Sequence, residues 1–316
     1  MNVLVLGSTG FIGKNLVNKL KTLDSLGKLG AMDDKPVVTG VSLTTGLDIL
    51  DYSQISDCIV EAQPDIIYNV ASHGGSLHYV KEFAASVYAD NVQMGLNLYR
   101  AIVENKSNAT VIQPFSNCSY PGNSSVQNEG SWLNGAVHPS IFSFGNSKRS
   151  LYYISECYKE QHGVKTINLL LPNTYGPGDS IDPNHTHALN GMVIRMLKAK
   201  KAGDEKFVVW GTGSPVREWC YVDDFIEALV QAPNLVSMEY PVNIGQEKGY
   251  SIAESALLIK KACGFEGEIV FDTKYPDGDP VKILGKNKLN DVLPNFEFFD
   301  HEEGILNTVE YYEDKV

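Results

Sequence analysis

The chain has 316 residues, 43% hydrophobic and 20% charged, which is enough apolar chain for one large domain or two modest ones. A formal net charge of -12 argues against nucleic acid as a partner, since phosphate backbones require a basic face; a phosphorylated small molecule remains compatible, because a single pocket can be basic. Five cysteines, an odd number with no C-x-x-C spacing, argue against a disulfide framework and point to reduced thiols in the cytoplasm.

The opening "MNVLVLGSTG" lacks a basic n-region and a long apolar stretch, so no signal peptide is expected, and no later apolar run is long enough to span a membrane. "NVLVLG" reads as a buried strand and "FIGKNLVNKLKTL" as an amphipathic helix. "PVVTGVSL" is a strand, "SQISDCIVEA" a helix and "PDIIYNVAS" a strand. The long helix "VYADNVQMGLNLYRAIVEN" precedes strand "ATVIQPFS", and helix "SKRSLYYISECYKEQHG" precedes strand "KTINLLLPN". Strands alternating with helices imply an α/β, Rossmann-type doubly wound parallel sheet. From about residue 176 the texture changes to loops rich in Pro, Gly, Asp, Asn and His, with helices "ALNGMVIRMLKAKKAG" and "SIAESALLIKKACG" and strand "FVVWG". The expected organisation is a dinucleotide-binding domain over 1–175, completed by strands returning from the second half, and a smaller α/β substrate lobe over 176–316.

The turn "GSTGFIG" places Gly7, Gly10 and Gly13 between the first strand and the first helix, where bare backbone amides approach a pyrophosphate at a helix N-terminus. The spacing is G-x-x-G-x-x-G, and its position makes it more specific than a lone match. A dinucleotide cofactor is therefore expected. Asp48 in "LDILD" reads either as a contact to the adenine edge or as an acidic helix cap. The end of the second strand, "SLTTG", carries neither the acid that favours a free ribose nor the base that favours a 2′-phosphate, and Lys14 is a candidate phosphate contact.

With the glycine turn, "PFSNCSYPG", the Lys148 helix and "LPNTYGPGD", the chain resembles the extended short-chain dehydrogenase/reductases of the NAD-dependent epimerase/dehydratase type. "HTHALNGMVIRML", "VVWGTGSPVREWCYVDD" and "FDTKYPDGDPVK" narrow the resemblance to the GDP-L-fucose synthase group, over essentially the whole chain. The resemblance implies a GDP-linked 4-keto-6-deoxy sugar, epimerised at C3 and C5 and reduced at C4 with NADPH, NADH remaining open. It places Ser116 at the C4 oxygen and Cys118 and His187 as the epimerisation pair. Lys148 would hold the nicotinamide ribose and keep the proton donor acidic. Gly7, Ser8, Thr9, Gly10, Phe11, Ile12, Gly13, Ala71, Pro172, Asn173 and Thr174 would bind the cofactor. Asn173, His187, Arg195, Trp210, Arg217 and Lys282 would contact the substrate.

Each assignment has a plainer reading. Cys118 after a core strand fits a buried thiol, His187 a solvated cap, Trp210 a core residue, and Arg217 beside Glu218 a simple salt bridge. No metal site is expected, because no His, Cys or Asp cluster has credible ligand spacing. Phe144 departs from the resemblance, since it stands where a proton-donating tyrosine is expected. It reads either as a tyrosine replaced to trap a ligand, or as a natural phenylalanine in a chain that borrows another donor or does not reduce. Tyr120, Tyr152 and Tyr153 are near in sequence, and Tyr152 lies one turn beyond Lys148. The alternatives are a 4-epimerase or 4,6-dehydratase of the same fold, or a catalytically silent dinucleotide-binding protein. A homodimer is also expected: the two long helices carry apolar residues on more than one face, and the resemblance implies that they pair in a four-helix bundle.

Overall fold

The computed structural model describes residues 1–26, 36–122, 126–235, 241–275 and 277–316. The first half runs β1 (Asn2–Leu6), α1 (Phe11–Leu26), β2 (Val37–Val41), α2 (Tyr52–Ala62), β3 (Ile66–Asn69), α3 (Leu77–Glu82), α4 (Ala84–Glu104), β4 (Thr110–Ser116), α5 (Phe142–His162) and β5 (Thr166–Leu171). The second runs β6 (Asn173–Tyr175), α6 (Ala188–Ala202), β7 (Lys206–Trp210), β8 (Val216–Arg217), β9 (Trp219–Tyr221), α7 (Val222–Gln231) and β10 (Val242–Asn243). It ends with β11 (Tyr250–Ser251), α8 (Ile252–Cys263), β12 (Glu268–Asp272), β13 (Val281–Lys282), α9 (Asn287–Val292) and α10 (His301–Glu313).

Among the described residues, six strands form one parallel sheet in the order β10-β5-β4-β3-β1-β2. A parallel sheet needs cover on both faces, which explains why β1 is apolar at every buried position. Its side chains alternate between two cores. Val3 and Val5 meet Leu16 and Leu20 of α1 and Phe225 and Leu229 of α7, while Leu4 and Leu6 meet Ile55 and Ile59 of α2 and Leu98 and Ile102 of α4. On that second face α4 and α5 cross closely, because Gly95 offers no side chain where Leu151 packs.

The second half builds a separate core from α6, α8, α10, β7 and β9. Strand β8 is central to a small sheet, antiparallel to β11 and parallel to β13, which brings Lys282 into register with Arg217. Helices α7 and α10 are not anticipated by the sequence reading. α7 follows β9 without a breaker, and α10 is announced mainly by Asp300, whose carboxylate caps the Glu303 amide. No helix among the described residues is long and apolar enough to cross a membrane.

Candidate active site

The glycine turn has the shape of a cradle. Gly7 has φ of +85°, and a Cβ there would lie 2.7 Å from Ala71 Cα; a Cβ on Gly13 would collide with the Gly7 carbonyl. Glycine at these positions lets the turn close on Ala71 and on itself, which sets the N-terminus of α1 where a dinucleotide phosphate is expected. The residues present fit such a cofactor. Thr9 Oγ1 donates to Ser42 Oγ at 3.0 Å and pairs with Thr44 Oγ1 at 2.8 Å, so a cluster of hydroxyls occupies the end of β2. The Lys14 stem lies against Gly178. Asp48 accepts from the Leu50 amide at 2.9 Å, and the cap of α2 is Asp51, not Asp48; the capping alternative for Asp48 is corrected.

Strand β4 ends at Ser116 and passes into a tight turn. Ser116 Oγ accepts from the Cys118 amide at 3.2 Å, and Ser119 Oγ donates to the Ser116 carbonyl at 2.7 Å. Gly145 of α5 packs on the Cys118 carbonyl, where a Cβ would not fit, so the turn is held against the helix that carries Phe144 and Lys148. Lys148 is 5% exposed, and burial pushes its ammonium down to about 8. Its Nζ donates to Ser72 Oγ at 2.8 Å and lies 5.1 Å from the centre of the Phe144 ring. Ser72 Oγ in turn donates to Asn91 Oδ1 at 3.1 Å, and buried Asn91 anchors the segment through the His73 carbonyl.

Phe144 packs on Gly74, where an added Cβ would come 2.9 Å from Cε2. The three tyrosines considered as replacement donors are engaged elsewhere. Tyr120 is buried and donates to Asn243 Oδ1 at 2.8 Å. Tyr152 does not share the Lys148 site: it is buried, edge-on to Trp132 at 4.8 Å. Tyr153 is 52% exposed.

The two residues expected to move protons in epimerisation each have a charged companion. Lys282 Nζ donates to Cys118 Sγ at 3.6 Å, and Lys282 is buried. Lys282 therefore stands beside the thiol, a placement that the sequence reading, which gave it a grip on the substrate, did not foresee. His187 stands just before α6, and its Nδ1 lies 3.0 Å from Asp179 Oδ2. The same oxygen accepts from the His187 amide at 2.8 Å and from Asn190 Nδ2 at 2.9 Å. Burial alone would raise the Asp179 carboxyl, but the bonds from His187 and Asn190 outweigh it and hold it below the usual range. The imidazole is oriented and kept against the Phe11 ring, at 5.4 Å, over the start of α1. His185, two residues earlier, pairs with Asp182 on the loop surface.

Trp210 is not a core residue: it is 59% exposed and stacks on Tyr275 at 4.9 Å. The Arg195 guanidinium lies 5.2 Å from the Trp210 ring and donates to the Val208 carbonyl. Arg217 donates to the Val216 carbonyl, and the simple Arg217–Glu218 pair does not form. Glu218 is fully buried and accepts from the amides of Leu284, Gln246 and Glu247. Burial pushes its carboxyl up to about 7, against those three donors. Its own carbonyl accepts from Asn173 Nδ2 at 3.3 Å, next to buried Pro172 and Thr174, so Glu218 braces the floor of the site. Asp179, Glu218, Ser72 and Tyr275 were missed by the sequence reading. Among the described residues, no group of three His, Cys, Asp or Glu side chains could hold a metal ion.

The model of the NAD dependent epimerase/dehydratase family matches residues 3–245. A probable GDP-L-fucose synthase 1 of Oryza sativa subsp. japonica is 29% identical over 317 residues, covering 99% of this chain and 92% of the relative. GDP-L-fucose synthase 1 of Arabidopsis thaliana is 28% identical, covering 98% and 92%. The crystal structure of a GDP-L-fucose synthetase from Naegleria fowleri bound to NADP superposes with a TM-score of 0.87 at 25% identity, covering 99% of this chain and 92% of that one.

Proposed function

The chain belongs to the NAD dependent epimerase/dehydratase family, and on that footing we propose that it is a GDP-sugar epimerase/reductase. Its substrate is a GDP-linked 4-keto-6-deoxy sugar, inverted at C3 and C5 and reduced at C4. The observation that carries this reading is that each expected proton carrier has a supporting partner, Cys118 with Lys282 and His187 with Asp179. Relatives named GDP-L-fucose synthase and GDP-L-colitose synthase support the GDP-sugar class.

Ser116 donates to the C4 oxygen and stabilises the enolate that forms when C3 or C5 loses its proton. Cys118 and His187 remove and return protons from opposite faces. The Lys282 ammonium attracts the thiolate that Cys118 must become to act as a base. Asp179 fixes the His187 tautomer so that Nε2 faces the substrate. Arg195 supplies a forked donor for the diphosphate, and Trp210 with Tyr275 an apolar wall for base or sugar. Reduced NAD(P), held by Gly7–Gly13, Ala71, Lys148 and Pro172–Thr174, supplies hydride to C4 when bound. The bound NADP of the Naegleria fowleri relative and the absence of an acid at the end of β2 support the phosphorylated form. Dehydration is the weaker reading, because "SNCSYP" offers no acid beside Ser116.

Incubation with GDP-4-keto-6-deoxymannose and NADPH in D₂O, with mass analysis of the sugar, tests the proposal. Deuterium at C3 or C5 marks epimerisation and an added hydride marks reduction. A sugar that carries neither contradicts the assignment and leaves a silent binding protein.

We also propose a homodimer through α4 and α5. Tyr88 and Leu96 of α4 and Phe142 and Tyr153 of α5 are exposed, which supports pairing of these helices. A monomer mass by light scattering at micromolar concentration contradicts it. Five free cysteines support a reducing cytoplasmic setting.

A further inference from the structure

We infer that Lys148 itself delivers the proton that neutralises the C4 oxygen during reduction, taking over from the tyrosine that Phe144 displaces. The inference rests on the GDP-4-keto-sugar reading above. It begins with elimination: Tyr120 is locked to Asn243, Tyr152 is in the aromatic core with Trp132, and Tyr153 is exposed on the outer face of α5. It continues with position. The Lys148 ammonium lies over the ring that replaced the phenol, on the helix held against the Ser116 turn.

The group also has the chemistry for the task. An ordinary lysine, near 10.4, holds its proton too tightly to serve as an efficient acid at neutral pH. Burial brings Lys148 down to about 8, and among the described residues no charged group counteracts it. The nearest titratable side chain in sequence to its partner Ser72 is His73, which pairs with Asp90 of α4 at 2.7 Å. Resupply is built in. Lys148 Nζ donates to Ser72 Oγ, and Ser72 is open to solvent.

The step balances. Bound reduced NAD(P) would supply hydride to C4, with the carbonyl π pair moving to oxygen. One Lys148 N–H proton then passes to that oxygen, directly or across one water, leaving a neutral amine. The Ser72 hydroxyl then turns from Asn91 Oδ1 to give its proton to the neutral amine, and water replaces that proton on Ser72 Oγ. The main rival is the Asp90–His73–Tyr79 chain, in which His73 Nε2 lies 2.8 Å from the Tyr79 hydroxyl; its phenol sits among Phe83 and His185.

The test compares Lys148→Arg in two backgrounds. Arginine keeps the positive charge and donor contacts but does not release a proton. In the parent chain, Lys148→Arg should lower C4 reduction by about 10²-fold or more. In a Phe144→Tyr background the phenol supplies the proton, and the loss should be at least about ten-fold smaller. NADPH binding, followed by fluorescence, checks that each variant holds cofactor. Independently, in cofactor-free protein labelled with [ε-¹³C]lysine, the resonance lost in Lys148→Arg should titrate near pH 8. Equal losses in the two backgrounds overturn the inference, as does a resonance that stays charged to about pH 10. A Tyr79→Phe loss that replaces the Lys148→Arg loss assigns the proton to the Asp90 chain and overturns it too. If the parent exchanges deuterium but reduces nothing, while Phe144→Tyr reduces, the functional reading stands and this inference fails. If neither protein exchanges or reduces, the functional reading itself fails.

Discussion

Two halves of one site have been treated differently in this chain. On the epimerisation side, each expected proton carrier has a charged partner: Lys282 beside Cys118, and buried Asp179 beside His187. On the proposed reduction side, Lys148 bonds to Ser72 and lies 5.1 Å from the centre of the Phe144 ring, which has no hydroxyl to offer. The surroundings of Phe144 are closely fitted: Gly74 admits the ring, Gly145 seats the turn, and Asn91 anchors the Ser72 segment. On the proposed function, a site with supported epimerisation groups and no phenol at position 144 runs its two reactions at unequal rates.

The largest expected effect lies on the intact side. Cys118→Ser should lower solvent deuterium exchange into the 4-keto sugar by about 10²–10⁴-fold, because a hydroxyl is a far weaker base at neutral pH. Exchange needs no reduction, so the assay is independent of Phe144. Exchange at the parent rate would erase the difference between the two halves.

Next in size is Phe144→Tyr, which should raise C4 reduction by about ten-fold or more, read as NADPH oxidation. An unchanged turnover would mean that proton delivery does not limit the step. Asp179→Asn should slow exchange by about ten-fold and favour one carbon over the other, since it leaves His187 in place but removes the group that fixes its tautomer. Loss of the same size at both carbons would indicate general damage.

The smallest effect concerns the shared floor. The Glu218 carboxyl is raised from 4.5 to about 7 in the folded chain. The folded state thus binds more protons, and its stabilising contribution is full below about pH 4.5 and is lost as pH rises through about 7. Glu218→Gln should flatten that part of the stability profile in urea melts at pH 5 and pH 8. A decline as steep as that of the parent would place its origin elsewhere.

Much of the first half was legible in the sequence, because β1, α1 and the glycine turn are local patterns. Apolar runs give strands, helical spacing gives α1, and Gly7 and Gly13 sit where no side chain fits. The companions of the site were not legible. Lys282 meets Cys118 across 164 positions that carry no spacing signal, where backbone bonds between Gln127 and the residues after β13 join the two segments. Asp179 lies eight residues before His187, a readable spacing, yet only burial distinguishes it from a loop acid. Tyr152 shows the opposite failure. Its spacing from Lys148 suggests a common face, but the Trp132 ring claims it for the core. The exposed stack of Trp210 on Tyr275 likewise depends on β12 and the residues after it meeting β7.

The most direct measurement of unequal halves follows both reactions in one tube. GDP-4-keto-6-deoxymannose and NADPH are mixed with the chain in D₂O, and deuterium at C3 and C5 is compared with hydride at C4 over time. Exchange in the parent should outrun reduction by about ten-fold or more, and Phe144→Tyr should close most of that gap. A ratio that is the same in both proteins would contradict an impaired reduction side and an intact epimerisation side.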